Sequence, residues 1–182
     1  MKFNRKWVTQ LHLIFAGVFL PLFILMPLSG VFHLLGWDGG TQKLDLFVLQ
    51  TRFDETTSDA ELEALLQAEF EKKGYELNYE TMKRTKTRIV FRPSSRRHHA
   101  IELTNDGSWL AQEVSPSFSD RLLELHKGHG PTLFKWLEIA FGVAIVFVLG
   151  SGAIMALTLA SYRKSYLAAV ALGVGLASIC LI

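Results

Sequence analysis

The side chains that could do chemistry in this chain are its histidines and a run of cations. Six histidines occur: His12, His33, His98, His99, His126 and His129. Imidazole ligates haem iron and most transition metals, and it titrates near neutral pH. His126-Lys127-Gly128-His129 puts two of them in one short segment that runs into Gly130-Pro131. The cations Lys83, Arg84, Lys86, Arg88, Arg92, Arg96 and Arg97 stand between Glu80 and Glu102 with no carboxylate among them. On an extended strand Lys86, Arg88 and Arg92 share one face, while Ile89 and Phe91 take the other. Such a face attracts an anionic ligand, lipid headgroups or an acidic partner, or is simply solvated.

Other chemistries are poorly served. Ser94-Ser95 precede His98, but no Gly-x-Ser-x-Gly elbow or Ser-x-x-Lys motif accompanies them. There is no His-Glu-x-x-His and no cysteine pair for zinc, and no phosphate-binding glycine loop. The single cysteine, Cys180, has no partner for an internal disulfide.

The elements that must position these residues follow from a sharp partition of charge. All 17 acidic residues lie between Asp38 and Glu138. Ile139 to Ser161 is a run of 23 uncharged residues, about 34 Å as a helix, against a hydrocarbon core of about 30 Å. No charge occurs between Lys6 and Asp38 either. That stretch is too long for a signal-peptide core and ends, at HLLGWDGG, without a small-residue cleavage site. The expected order is a basic N-terminus at 1–10, a first transmembrane helix at 11–35 kinked by Pro21 and Pro27, and a polar domain at 37–130. A second transmembrane helix at 131–160, a basic turn at 161–166 and a third helix at 167–182 follow. Pro131 suits the first helical turn, and Trp136 suits an interfacial position. Glu138, at the outer edge, is expected to face Lys135 or a neighbour rather than lipid. Gly173, Gly175, Ala177 and Ser178 give the third span a small-residue side suited to packing against other membrane subunits or a second copy. Lys2, Arg5 and Lys6 at the N-terminus, with Arg163 and Lys164 in the turn, predict that both are cytoplasmic; the polar domain and the C-terminus then face the other side. In a Gram-negative bacterium that is the periplasm, and nucleic acid is not an expected partner.

Within the polar domain the pattern predicts an α+β fold. KLDLFVLQTRF (43–53) reads as a strand. Residues 58–74 read as a helix, with Ser58 as N-cap and Leu62, Leu65, Leu66 and Phe70 as its apolar face. Strands are predicted at 75–82, 87–93, 99–105 and 108–114, with Asn105-Asp106-Gly107 as a hairpin turn and His98-His99 in the turn SSRRHH. A short amphipathic helix is expected at 119–128.

The spans place the histidines. His12 and His33 are 21 residues apart on one helix, about 31 Å, so they sit at opposite membrane faces and cannot share one haem within a chain. His33, His126 and His129 fall at the outer face, where they could hold a haem or another metal, cap helices or meet headgroups. His12 has no histidine partner on its side, with Met155 the neighbouring soft donor.

The arrangement resembles the PepSY-associated transmembrane helix family. The matching residues are Leu11-His12, Gly17, Pro21 and Ser29-Gly30 in the first span, then Leu125-His126-x-Gly128, Trp136, Gly142 and Ser151-Gly152 around the second. The resemblance implies a helix-plus-strands PepSY-type domain outside the membrane, between the first two spans. It also implies a context of iron uptake or electron transfer, since some larger relatives are haem-containing inner-membrane reductases of ferric siderophores. On that footing one b-type haem is expected at the outer face, with His126 and either His33 or His129 as its axial pair; His12, at the opposite face, is a separate candidate ligand. A chain with three spans and one such domain fits a component of such a system rather than a complete enzyme. The alternative is a cofactor-free binding or accessory subunit whose PepSY-like domain recognises a periplasmic partner protein through the helix face and the basic strand.

Overall fold

The computed structural model describes residues 5–37, 39–51, 53 and 56–181. Its elements are α1 (Arg5–Leu34), β1 (Gln42–Val48), α2 (Asp59–Lys72), β2 (Thr81–Arg84), β3 (Arg88–Arg92), β4 (His98–Leu103), β5 (Trp109–Ser115), α3 (Phe118–His126), α4 (Thr132–Thr158) and α5 (Ala160–Cys180). Met1 to Asn4 of the expected basic N-terminus, Arg52 of the expected strand 43–53 and Ile182 of the expected third span lie outside the described residues. Three helices, α1, α4 and α5, are long and apolar enough to cross a membrane, as in a multi-pass membrane protein. The chain divides into two compact units, Met1–Leu22 with Ile139–Ile182, and Phe23–Glu138.

The unit Phe23–Glu138 holds a five-stranded antiparallel sheet of order β1-β5-β4-β3-β2. Three successive hairpins build β2 to β5, and β1 closes the far edge against β5. Asn105-Asp106-Gly107 makes the β4–β5 turn, where Gly107 N–H bonds the Thr104 carbonyl at 3.0 Å. One sheet face carries α2. Ser58 caps this helix, its hydroxyl accepting from Glu61 N–H, and Asp59 and Glu61 sit in the first turn, where the helix dipole favours them. Leu62, Leu66 and Phe70 are wholly buried against Ile89, Phe91, Ile101 and Ala111.

Leu65, expected on that face, is 36% exposed. The fourth buried position is Glu69, whose carboxylate accepts from the N–H groups of Gln50 at 2.5 Å and Thr51 at 3.1 Å. A buried carboxylate is tolerated where its charge is answered by donors, and here it ties the start of the β1–α2 connection to α2.

Three sequence expectations are corrected. Residues 75–82 do not form a strand; only Thr81 onward does. Leu77 and Tyr79 alternate into the core, and Tyr79 O–H donates to Glu63, so the alternation reflects packing of an unpaired segment. His98 and His99 open β4 instead of sitting in the preceding turn. His99 lies edge-on to Phe70, with ring centroids 5.3 Å apart, so it belongs to the core face. Residues 161–166 are the first turns of α5; the break between α4 and α5 is Leu159, at φ −96° and ψ 111°.

In the other unit α1 and α4 meet through rings and two polar pairs, His12 with Ser151 and Thr9 with Met155. Phe15 lies 4.9 Å from Phe147 and Phe19 lies 5.9 Å from Phe141, centroid to centroid. Ala144 and Ser151 are buried at this seam. No residue of α5 is buried.

Candidate functional site

The sheet face turned away from α2 carries the polar chemistry. Alternation along β3 puts Arg88, Val90 and Arg92 there, opposite the buried Ile89 and Phe91. On β4 the same parity brings His98 and Ala100, and His98 pairs in register with Val114 of β5. Lys43 of β1 pairs with Val114 from the other side. The helix α3 and His129 border this face. Between them is a trough of about 460 Å³, lined by Lys43, Lys83, Arg88, Arg92 and Lys127 against only Asp120 and Glu124.

The end of α3 positions the border. Gly128 has a φ of 71°, a conformation side chains resist. It lets Gly128 N–H bond the Leu125 carbonyl and His129 N–H bond the Glu124 carbonyl, each at 2.9 Å, which closes the helix and folds His129 back over its last turn. His129 Nδ1 then lies 2.9 Å from Glu124 Oε2, and Ser94 donates its hydroxyl to the same oxygen at 2.5 Å. Burial pushes the Glu124 carboxyl up, but Ser94 and His129 outweigh it and hold the group below its ordinary 4.5. Glu69 is likewise held low, burial being outweighed by its bonds to Thr51 and Gln50. For His98 and His99, burial is the leading cause and depresses both below the ordinary 6.5.

These directions predict acid lability in two stages. A histidine held low in the folded state resists protonation, so the unfolded chain binds more protons and stability falls as pH drops below about 6.5. Carboxyls held low stabilise above about 4.5, and that stability is lost as pH falls through their folded values. The urea midpoint of the sheet unit is expected to decline from pH 7 to 5 and more steeply below 4.5. Replacing His98 and His99 by Gln should flatten the upper stage; an unchanged upper stage in that variant counts against the histidine assignment.

The predicted cationic triad is only partly brought together. Arg88 and Arg92 share the trough, whereas Lys86 stands in the β2–β3 turn and lines a separate depression with Phe53 and Trp109. Lys83, named in the basic run but not set on that face, joins the trough from β2, while Lys43, Lys127 and His98 were missed because they come from other strands or from the C-cap of α3. Lys43 Nζ and Arg88 Nε both pair with Glu102, at 2.9 and 3.1 Å. Among the described residues both Arg88 Nε and Arg92 Nε are buried with no hydrogen-bond acceptor, and Arg92 has no ion pair either.

The predicted haem histidines are dispersed. His126, the last residue of α3, directs Nδ1 to the Met26 carbonyl at 3.1 Å and to Ser29 Oγ at 2.9 Å, while Ser29 donates to the same carbonyl at 2.6 Å. A carbonyl only accepts, so Nδ1 carries the proton and Nε2 keeps its lone pair. His129 turns to Glu124 instead, and no hydrogen bond or ring contact joins it to His126. His33 is exposed in the last turn of α1, one turn beyond Ser29. In the helical unit, His12 Nδ1 lies 2.8 Å from Ser151 Oγ, whose proton goes to the Phe147 carbonyl at 2.7 Å. Met155 accepts from the Thr9 hydroxyl at 3.4 Å. His12 of α1 thus meets Ser151 of α4, and His126 of α3 meets Ser29 of α1. Among the described residues no three His, Cys, Asp or Glu side chains converge as a metal site.

No family model, curated protein or solved structure matches the chain.

Proposed function

We propose that the chain is a small integral inner-membrane protein of PepSY type, a component of electron transfer or of iron (siderophore) uptake, with one b-type haem at the outer face. The observation that supports this reading is the His126 ring. Its Nδ1–H is committed to the Met26 carbonyl, which fixes tautomer and orientation and leaves Nε2 as a donor. That is the preparation an axial ligand needs. His33, four residues after Ser29 on the same side of α1, would be the second donor; His129, engaged by Glu124, fits less well. Haem, when bound, would supply a one-electron couple between ferric and ferrous iron. The basic N-terminus with Arg163 and Lys164 on the cytoplasmic side would place the sheet unit in the periplasm. The test is the absorption spectrum of detergent-purified protein made with ample haem, oxidised and then dithionite-reduced. A Soret band with sharp reduced α and β bands is expected; a flat visible spectrum overturns the haem reading.

A second reading is favoured by the trough. On it the chain is a cofactor-free accessory subunit whose PepSY-like domain recognises an acidic partner protein through Arg88 and Arg92. Reversing both to Glu should then abolish co-purification of that partner, and retained co-purification would sink the reading.

A further inference from the structure

We propose that the trough on the open sheet face is a binding site for an oxyanion, a carboxylate or phosphate group, with Arg92 as its anchor. The charges around it are mostly answered from within the chain. Glu102 pairs with both Lys43 and Arg88 and offsets one of their two charges. Glu124 is engaged by Ser94, His129 and Lys127, and Asp120 by Ser117 and Thr41. Arg96 pairs with Glu80 and Arg97 with Glu113, both outside the trough lining. Among the described residues the Arg92 side chain, unlike those of Arg88, Arg96 and Arg97, has neither ion pair nor hydrogen bond, and its Nε, like that of Arg88, is buried without an acceptor. A buried guanidinium N–H without an acceptor is costly, and an oxyanion is the ligand that answers both its charge and its planar fork of donors.

The surroundings suit that ligand. Val90, Val114 and Leu123 give the trough apolar walls, which lower the local dielectric and strengthen a charge-assisted bond. His98 gives Nδ1–H to the Arg96 carbonyl at 2.8 Å and His129 gives its own to Glu124, which leaves each Nε2 an acceptor that only a protonated ligand oxygen, such as a phosphate hydroxyl, can meet. A volume of about 460 Å³ is within the range of small-molecule sites and admits more than a bare ion. The site deepens the partner-binding reading. It is nevertheless tested apart from it, because a small anion reports on Arg92 whether or not any protein co-purifies.

The experiment is calorimetric titration of the full chain in detergent with inorganic phosphate and, separately, with succinate, at ionic strength fixed by chloride. Saturable binding of at least one is expected, weakened by about tenfold or more in Arg92→Gln and changed less than about twofold in Lys86→Gln. Binding of phosphate alone assigns a phosphorylated ligand, and of succinate alone a carboxylate one. Absence of saturable binding by either overturns the proposal, as does equal loss in the two variants or parent-like binding by Arg92→Gln. Should Arg92→Gln fail to fold, Arg92→Lys keeps the charge and loses the fork; binding weakened about threefold or more supports the site, and parent-like binding overturns it.

Discussion

Phe70→Ala is expected to lower the urea midpoint of the sheet unit by about 2 M, the largest stability loss of any single truncation there. Phe70 is wholly buried at the point where α2 meets the sheet. Its ring stands edge-on to Phe47 at 5.0 Å, Phe91 at 6.2 Å and His99 at 5.3 Å, so it holds β1, β3 and β4 to one helix. Removing such a ring costs about 3–5 kcal/mol, because the lost transfer energy and the cavity add. With a urea slope of about 2 kcal/mol/M this gives the midpoint change, and it is about a fifth or more of a small domain's total stability of about 5–15 kcal/mol. Leu65→Ala on the same helix, at a side chain 36% exposed, should move the midpoint by less than about a quarter as much. Comparable losses in the two variants would mean that α2 presents a different face to the sheet.

That contrast also shows where the sequence was informative. Period-3.6 spacing put Leu62, Leu66 and Phe70 inside, but it could not rank Leu65 against Glu69. The choice between them depends on the N–H groups of Gln50 and Thr51, which the β1–α2 connection delivers from nearly twenty residues away. Alternation worked where a strand had a ladder partner on each side, as in β3, and failed at 75–79, where Leu77 and Tyr79 pack without strand pairing. The basic stretch 161–166 read as a turn because charges interrupt the apolar run. Nothing in Ser-Tyr-Arg-Lys-Ser-Tyr forbids helical backbone, and the break fell one residue before Ala160 instead.

The candidate sites were legible one strand at a time. Arg88 and Arg92 could be set on one face from their own strand. Whether either was free depended on Glu102 of β4, which answers Arg88 and leaves Arg92. The same holds for the histidines. Leu125-His126 and Ser29-Gly30 each looked like part of a motif, yet the bond between His126 and Ser29 spans 97 positions and is a property of the fold.

On the haem reading, His126→Ala should remove the Soret band and the reduced α and β bands together, an all-or-none loss, because the imidazole whose Nδ1–H is fixed by the Met26 carbonyl is gone. Ser29→Ala separates a ligand from a packing residue. With Ser29 truncated, His126 keeps the Met26 carbonyl for Nδ1–H, so haem is retained while the ring is less firmly held. Loss of such a supporting bond weakens ligand affinity by roughly 10–100-fold, so haem content at limiting supply should fall without a change in band positions. If His126 serves only to pin α3 against α1, the two variants destabilise the fold to similar extents and neither alters a visible spectrum. A band that survives His126→Ala assigns the haem to other residues, and His33→Ala is the variant that then decides whether the outer end of α1 supplies a ligand.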